Sequence, residues 1–419
     1  MIEGTANNPV IRLPWAGKLI PIESTEKELA LLWKISADNM RMGLNTNVRT
    51  SVLNLIICAP DIESAQHASR LLRDVSSMHL ARVTIVILNS SEGAPANVST
   101  WITLRCFSVI SDLMRHCFEQ TTVLASGSAV RAIANIIQPL LKPELPVYLW
   151  WLGDPPADDR VFNSLVALSS RVIVDSTSFF NPEQDMHTLA LLLQGSPECA
   201  LRDLNWARLN PWRQLIAQFF DVAEYRPYLV GVNSIEIAHA VAPLATPMRD
   251  EHGDVSPNPA RALLLAGWLK ARLGWTMATD TSKNRYDTTS GTYYWQMDRS
   301  TNPRLTRVLG STRAKPTKAA SIYIRPQVYS DMPPGSICSL RLASEVEGKH
   351  AAFTITREDD PDHVLTSVEI LHNPRPQRTV SLSTLYDESR LLSDELEIMK
   401  RDLLYEQTLQ EVAELLEWA

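Results

Sequence analysis

Residues 146–156, Pro-Val-Tyr-Leu-Trp-Trp-Leu-Gly-Asp-Pro-Pro, constrain this chain more than any other stretch. A six-residue apolar and aromatic run closed by Pro146 and Gly153 has the length and composition of a strand buried on both faces, because a helix needs about ten residues or more. The run ends abruptly. Gly153 and Asp154 suit a turn, and Pro155 and Pro156 each lack a backbone donor. Adjacent strand residues point to opposite faces, so Trp150 and Trp151 cannot share a pocket. Either both rings belong to a core, or one ring and the Gly-Asp-Pro-Pro turn form a recognition surface at the strand's C-terminal end, where open α/β sheets place their sites.

The neighbouring sequence supplies the rest of such a sheet. After an irregular arm and a helix within residues 1–48, strands are expected at 51–59, 82–88, 99–110, 118–125, 147–152 and 171–175, with helices at 61–78, 128–141 and 158–168 between them. This alternation predicts an α/β N-terminal domain over 49–196, Rossmann-like with a mostly parallel sheet, yet without a G-x-G-x-x-G fingerprint. Gly195-Ser196-Pro197 reads as a hinge. Beyond it come helices at 199–209 and 211–221, with Asn210 as cap and Pro211 at the first helical position, then a strand at 228–238 and a helix at 259–273. Strands follow at 275–279, 292–298, 322–327, 336–344, 351–356, 366–371 and 379–383. Helices first and hairpin-like strands after them predict an α+β domain with a mostly antiparallel sheet over 197–384. Residues 385–419 form an acidic C-terminal helical segment whose apolar stripes (Leu392, Leu396, Leu403; then Tyr405, Leu409, Val412) need cover from the body of the protein or from a partner.

Charge is unevenly distributed. The net −7 is concentrated in 385–419, with ten acidic residues against three basic, whereas 299–325 holds seven basic residues and no acidic one. Such separation suits docking or steering. An acidic chain with little aromatic interleaving in its basic stretch is not expected to bind nucleic acid. No apolar run approaches the roughly 18 residues of a membrane span, and the start lacks the order of a signal peptide, so the expected location is the cytoplasm. Five cysteines without a C-x-x-C pair signal neither a disulfide framework nor zinc; Cys58 and Cys106, in strand-like runs, are expected to be buried and reduced.

Catalytic signatures are missing: no G-x-S-x-G, no phosphate loop, no H-E-x-x-H. No catalytic residue, cofactor or metal ligand is therefore assigned. Asp158-Asp159 and Glu358-Asp359-Asp360 read as solvated turns. Ser126-Gly127-Ser128, opening the helix expected at 128–141 with Arg131 one turn in, is either an ordinary cap or an anion-binding helix start.

Leu145 with 146–156, the strand Arg49-Thr-Ser-Val-Leu-Asn-Leu-Ile, and above all Arg202-Asp-Leu-Asn-Trp-Ala-Arg-Leu-Asn-Pro-Trp-Arg and its continuation to Asp221 resemble the glucose-6-phosphate dehydrogenase assembly protein family, called OpcA. The resemblance covers roughly residues 25–385. It implies a non-catalytic cyanobacterial or actinobacterial protein that binds glucose-6-phosphate dehydrogenase and promotes its active oligomeric form in the oxidative pentose phosphate pathway. It also implies thioredoxin as a partner in redox control, although this chain has only Cys338 beyond Cys199.

Two functions follow. As an allosteric activator, the chain would hold the dehydrogenase through aromatic and charged anchors, with Trp150, Trp151, Asp154, Trp206, Arg208, Trp212 and Arg213 the candidates. Trp206 and Trp212 have a second reading, as core between the two domains. The alternative function is a sugar-phosphate or nucleotide enzyme or sensor, using Ser126, Gly127, Ser128, Arg131 and Asp154 at the edge of the α/β sheet.

Overall fold

The structure is a computed structural model and describes residues 12–41, 46–49, 51–75, 81–89, 91, 93–108, 114–157, 159–196, 198–241, 258–299, 319–329, 331–357, 362–371, 373–382, 387–398 and 400–418. The acidic run 358–360 and most of the basic stretch, 300–318, lie outside these residues. The chain separates into two compact units, residues 1–152 with 159–172 and residues 153–158 with 173–419. The division falls upstream of the expected hinge at Gly195, and the acidic C-terminal segment belongs to the second unit.

The first unit contains strands β1 (Lys18–Ile20), β2 (Thr46–Arg49), β3 (Leu53–Ala59), β4 (Ala81–Asn89), β5 (Asn97–Ser108), β6 (Met114–Ser126) and β7 (Val147–Trp151). Its helices are α1 (Thr25–Arg41), α2 (Ile62–Val75), α3 (Ile133–Ile137) and α4 (Arg160–Ala167). Strand order is β1-β5-β6-β4-β3-β7, with β2 also on β6. The pairs among β2, β3, β4, β6 and β7 are parallel; β5 runs antiparallel to both β1 and β6. The sheet is thus mostly parallel, as the alternation predicts. Every residue of β3 is buried, which explains its continuous apolar run. Its one polar member, Asn54, is satisfied by the turn before β7: its amide donates to Lys142 O (2.9 Å) and Leu145 O (3.2 Å), and its Oδ1 accepts from Lys142 N (2.9 Å).

Two expectations fail in this unit. The helix expected at 128–141 is a 3-10 stretch, Gly127–Ala132, then the five-residue α3, then a second 3-10 turn, Gln138–Leu140, which contains Pro139. Proline lacks the donor that an α-helix would need there. Cys106 is neither reduced nor buried. It sits directly opposite Cys117 in the antiparallel β5–β6 ladder, at a Cα separation of 4.0 Å, and the two form a disulfide. Sequence spacing did not reveal this cross-strand register. Cys58, Cys199 and Cys338 are buried and form no disulfide among the described residues; burial pushes the Cys338 thiol up to about 12 and the Cys58 thiol higher still.

Strand β8 (Arg171–Val174) carries the chain across the division between units. The second unit continues with α5 (Pro182–Gly195), β9 (Ala200–Asp203), α6 (Leu204–Arg208), α7 (Asn210–Asp221), α8 (Arg226–Gly231), β10 (Val232–Val241) and α9 (Ala260–Leu273). Then come β11 (Trp275–Met277), β12 (Arg285–Asp287), β13 (Thr292–Arg299), β14 (Ala319–Val328), β15 (Ile337–Val346), β16 (Lys349–Arg357), β17 (His363–Ile370), β18 (Asn373–Pro374), β19 (Arg378–Ser381), α10 (Glu388–Glu397) and α11 (Leu403–Glu417). The sheet order is β11-β13-β14-β10-β15-β16-β17-β18, with β12 on β13 and β19 on β17. Among the described residues its strand pairs are antiparallel except β10–β14. Alternation is clean: Ile322, Ile324, Leu340, Leu342, Phe353 and Ile355 are buried, and the residues between them are partly or fully exposed. Phe219, Phe220, Tyr225 and Tyr228 surround Phe353 at centroid distances of 4.9–6.3 Å.

The helix expected at 199–209 begins as the strand β9, and the strand expected at 228–238 begins as α8, which Pro227 initiates. The C-terminal segment finds its cover inside the unit. Lys270 of α9, buried, pairs with Glu411 and with Glu414 (2.6 Å), and Trp295 Nε1 donates to Leu415 O (2.8 Å). Among the described residues no helix is long and apolar enough to cross a membrane.

Candidate functional site

The signature string 202–213 lies at the centre of a buried polar network in the second unit. Asp203 ends β9 and caps α6, accepting from Asn205 N (2.8 Å). Its carboxylate also accepts from Ser176 N (3.0 Å) and Ser176 Oγ (2.7 Å), and Tyr405 OH reaches it at 3.5 Å. Asn205 donates to Ser176 Oγ (2.9 Å) and accepts from Arg261 Nε (2.7 Å). Arg208 Nη1 donates to Asp175 Oδ1 at 2.7 Å. Asn258 closes the same loop by donating to the carbonyls of Ser176, Thr177 and Phe179 at 3.0–3.1 Å.

The network's other half grips the C-terminal segment. Arg202 lies 3.5 Å from Glu395 and 3.4 Å from Asp402, and donates to Lys400 O. Trp206 Nε1 donates to Asp402 Oδ2 (2.9 Å), its ring meets Tyr405 at 5.8 Å, and the Arg213 guanidinium lies over it at 3.5 Å. Arg357 lies 5.8 Å over Trp212. Asn210, expected to cap α7, is instead its first residue and accepts from Arg213 Nη2.

Electrostatics follow burial. Desolvation raises the Asp203 carboxyl to about 6, and the nearby charge of Asp175 adds to this against the hydrogen bonds from Ser176 and Asn205. Burial alone would lower Arg208, but Asp175 prevails and the net shift is upward. Burial raises Tyr405 well above its usual range, with Asp203 adding to it.

The four singled-out tryptophans are all inside: Trp150 at 0% exposure, Trp212 at 1%, Trp206 at 2% and Trp151 at 7%. Of the two readings open for these rings, core and partner contact, this burial fits the core one. Helix α6 is buried at all five of its positions, so it has no one-sided pattern for the sequence to show. Arg208 is also buried; Arg213 and Asp154 are half-buried. Trp151 packs edge-on against Phe162 at 4.8 Å. Asp154 accepts from Phe180 N (2.8 Å). Beside it, burial raises Asp185 to about 7, with the Asp154 charge and a hydrogen bond between the two carboxyls adding to the shift.

Ser126, Gly127, Ser128 and Arg131 lie at the start of a helical stretch that is not the α-helix expected there. The helix they open is 3-10 for six residues, so it lacks the aligned dipole of a long α-helix, and the Ser126 hydroxyl donates to Pro95 O (2.8 Å). Sequence reasoning missed Asp175, Ser176, Asp203, Asn205, Arg261, Asp402 and Tyr405. Asp203 and Asp402, each a capping carboxylate immediately before a helix, were the available signal.

Residues 199–409 match the family described as the C-terminal domain of the glucose-6-phosphate dehydrogenase subunit, and residues 72–191 match the corresponding N-terminal domain. The OxPP cycle protein OpcA of Synechocystis sp. is 38% identical over 160 residues, 38% of this chain and 30% of that protein. OpcA of Nostoc punctiforme is 35% identical over 190 residues, 45% of this chain and 36% of that protein. The matched stretches thus span about a third of the curated relatives' length. An NAD binding oxidoreductase from Klebsiella pneumoniae aligns over 88% of this chain and 96% of its own at a TM-score of 0.45 and 11% identity, too loose a likeness to bear on function. The C-terminal match alone spans half of the sequence and contains the whole 202–213 string; the chain belongs to the glucose-6-phosphate dehydrogenase subunit family, whose curated relatives carry the name OpcA.

Proposed function

We propose that this chain binds glucose-6-phosphate dehydrogenase and favours its active oligomeric form, catalysing no reaction itself. The observation that carries this reading is the match of both family domains across residues 72–191 and 199–409. The buried network supports it: the polar side chains after β8 and β9 are spent on one another and on the C-terminal segment. Trp150, Trp151, Trp206, Arg208 and Trp212 serve the partner indirectly, by fixing the surface, while Arg213 and Asp154 retain some exposure for direct contact. A tenfold shift toward the active state requires only about 1.4 kcal/mol of differential affinity. Thioredoxin, the proposed redox partner, would meet the Cys106–Cys117 disulfide, where Cys106 is exposed.

The test is a titration of the dehydrogenase with purified chain. Co-elution and a lower glucose 6-phosphate concentration for half-maximal rate support the reading. An unchanged rate curve without co-elution overturns it.

A further inference from the structure

The sheet of the second unit has one buried face; on the other face Ala238 and Ala240, toward one end of β10, are buried too, while two rows of side chains across its middle are half-buried to exposed. Pairing registers place Tyr294, Tyr323, Glu236, Arg341, Thr354 and Ser367 in a single row across β13, β14, β10, β15, β16 and β17. One step along the strands lies a second row: Gln296, Ser321, Ser234, Ala343, Ala352 and Glu369. At the centre Arg341 pairs with Glu236 at 3.2 Å, both side chains 46% exposed. An open depression of about 390 Å³ on this side is lined by Arg341, Ala343, His350, Ala352 and Glu369 among others.

We infer that this face is the contact surface for a second copy of the same chain. The argument is self-complementarity. A twofold axis parallel to the strands, passing between β10 and β15, lays each half of the face over the other half of its partner. Glu236 then meets the partner copy's Arg341, and the reverse, so two opposite-charge contacts form around the axis. The same rotation sets Tyr323 over Thr354 and Tyr294 over Ser367, so each ring faces a small hydroxyl residue, and Ser321 and Ser234 over Ala352 and Ala343. Gln296 falls on Glu369, an amide against a carboxylate. An axis perpendicular to the strands would set Glu236 on Glu236 and Arg341 on Arg341. The charge row therefore selects one orientation, and both tyrosines on the β10 side fall on small residues across the axis. Two sheets meeting in this way pack with strands near-aligned at a separation of about 10 Å. The inference stands apart from the proposed role toward the dehydrogenase.

Sedimentation equilibrium of the full chain alone tests it. The wild type is expected at twice the 46.9 kDa of one chain. Glu236→Arg and Arg341→Glu should each weaken self-association by at least about 100-fold, since each places like charges together at both contacts. The double reversal, Glu236→Arg with Arg341→Glu, should restore the dimer; cooperative urea unfolding of each single variant shows that it folds. A wild type that stays monomeric at every concentration overturns the inference, as do single variants that remain dimeric or a double reversal that stays monomeric. Loss of co-elution with the dehydrogenase in Glu236→Arg, with a monomeric wild type, would assign the face to that partner instead.

Discussion

The Arg213 guanidinium lies over the ring of Trp206, 3.5 Å from its centroid. In sequence this arginine looks misplaced, because a cation in the first turn of a helix opposes the helix dipole. The structure supplies the reason. Burial lowers Arg213 to about 10, and the charges of Asp402 and Glu395 pull in the opposite direction. The cation thus serves the indole and the carboxylates of the C-terminal segment at the expense of its own helix.

Substitutions at this pair should therefore loosen the C-terminal segment. Arg213→Lys keeps the charge but loses the planar guanidinium, and should cost about 1 kcal/mol. Trp206→Phe removes the donor to Asp402 Oδ2, a half-buried carboxylate that keeps Arg202 at 3.4 Å, and should cost about 1 kcal/mol. Urea unfolding monitored by fluorescence measures both. Amide exchange in 403–417 should rise in both variants, and unchanged exchange there would contradict the coupling.

Gly267 sets two effects against each other. Alanine improves helix propensity by about 1 kcal/mol. A Cβ at this position of α9 would, however, lie 2.7 Å from Val412 Cγ2 and 2.9 Å from Thr408 O of α11. Backbone cannot yield cheaply, and overpacking costs about 1–3 kcal/mol. Gly267→Ala should thus be destabilising on balance, read as a lower unfolding midpoint in urea; a higher midpoint would mean that α11 shifts freely.

The architecture was largely legible because it rests on local periodicity. The β-branched run of β4 and the alternating strands β13 to β17 announce themselves. What stayed hidden depends on contacts distant in sequence. The Cys106–Cys117 bond requires the register of β5 on β6, and the burial of Trp206 requires Asp402, 196 residues away. Likewise β9 is four residues long and all buried, so no alternation separates it from the helix that follows. The signature string was recognisable, but its role was not. Rings and guanidinium groups look the same in sequence whether they face a partner or one another.

Reduction of Cys106–Cys117 should destabilise the first unit alone. The bond closes a loop spanning 11 residues in separation, for which loss of the cross-link costs about 2–3 kcal/mol. Calorimetry with and without reductant should show a lower transition for the first unit and an unchanged one for the second. The double variant Cys106→Ser, Cys117→Ser should unfold at the reduced protein's temperature and ignore reductant. A wild type equally indifferent to reductant would rule out the effect.

His239 tests how pH reaches the second unit's core. It has no exposed surface, and neither ring nitrogen has a hydrogen-bond partner of normal geometry. Its register neighbours are Pro326 on β14 and Ile337 on β15, so no charge compensates it within the sheet. Burial lowers its pKa from 6.5 to about 4, against a weak opposing pull from the Ala240 backbone. The unfolded chain therefore binds the proton more readily. The histidine's contribution is fully present above pH 6.5 and is lost as pH falls toward 4, by up to about 3 kcal/mol. Asp203 and Asp185, raised to about 6 and about 7, act in the opposite sense, because their folded forms take up protons first as pH falls. The wild-type profile is a sum, and a difference curve isolates one term. His239→Leu fills a similar volume without polar atoms, so it should match or exceed wild-type stability at pH 7 by about 1 kcal/mol. Its advantage should grow steadily from pH 6.5 down to 4, measured by urea unfolding at each pH. A constant difference across that range would mean that His239 is hydrated or paired in solution, and that the acid response of this unit belongs to its carboxylates alone.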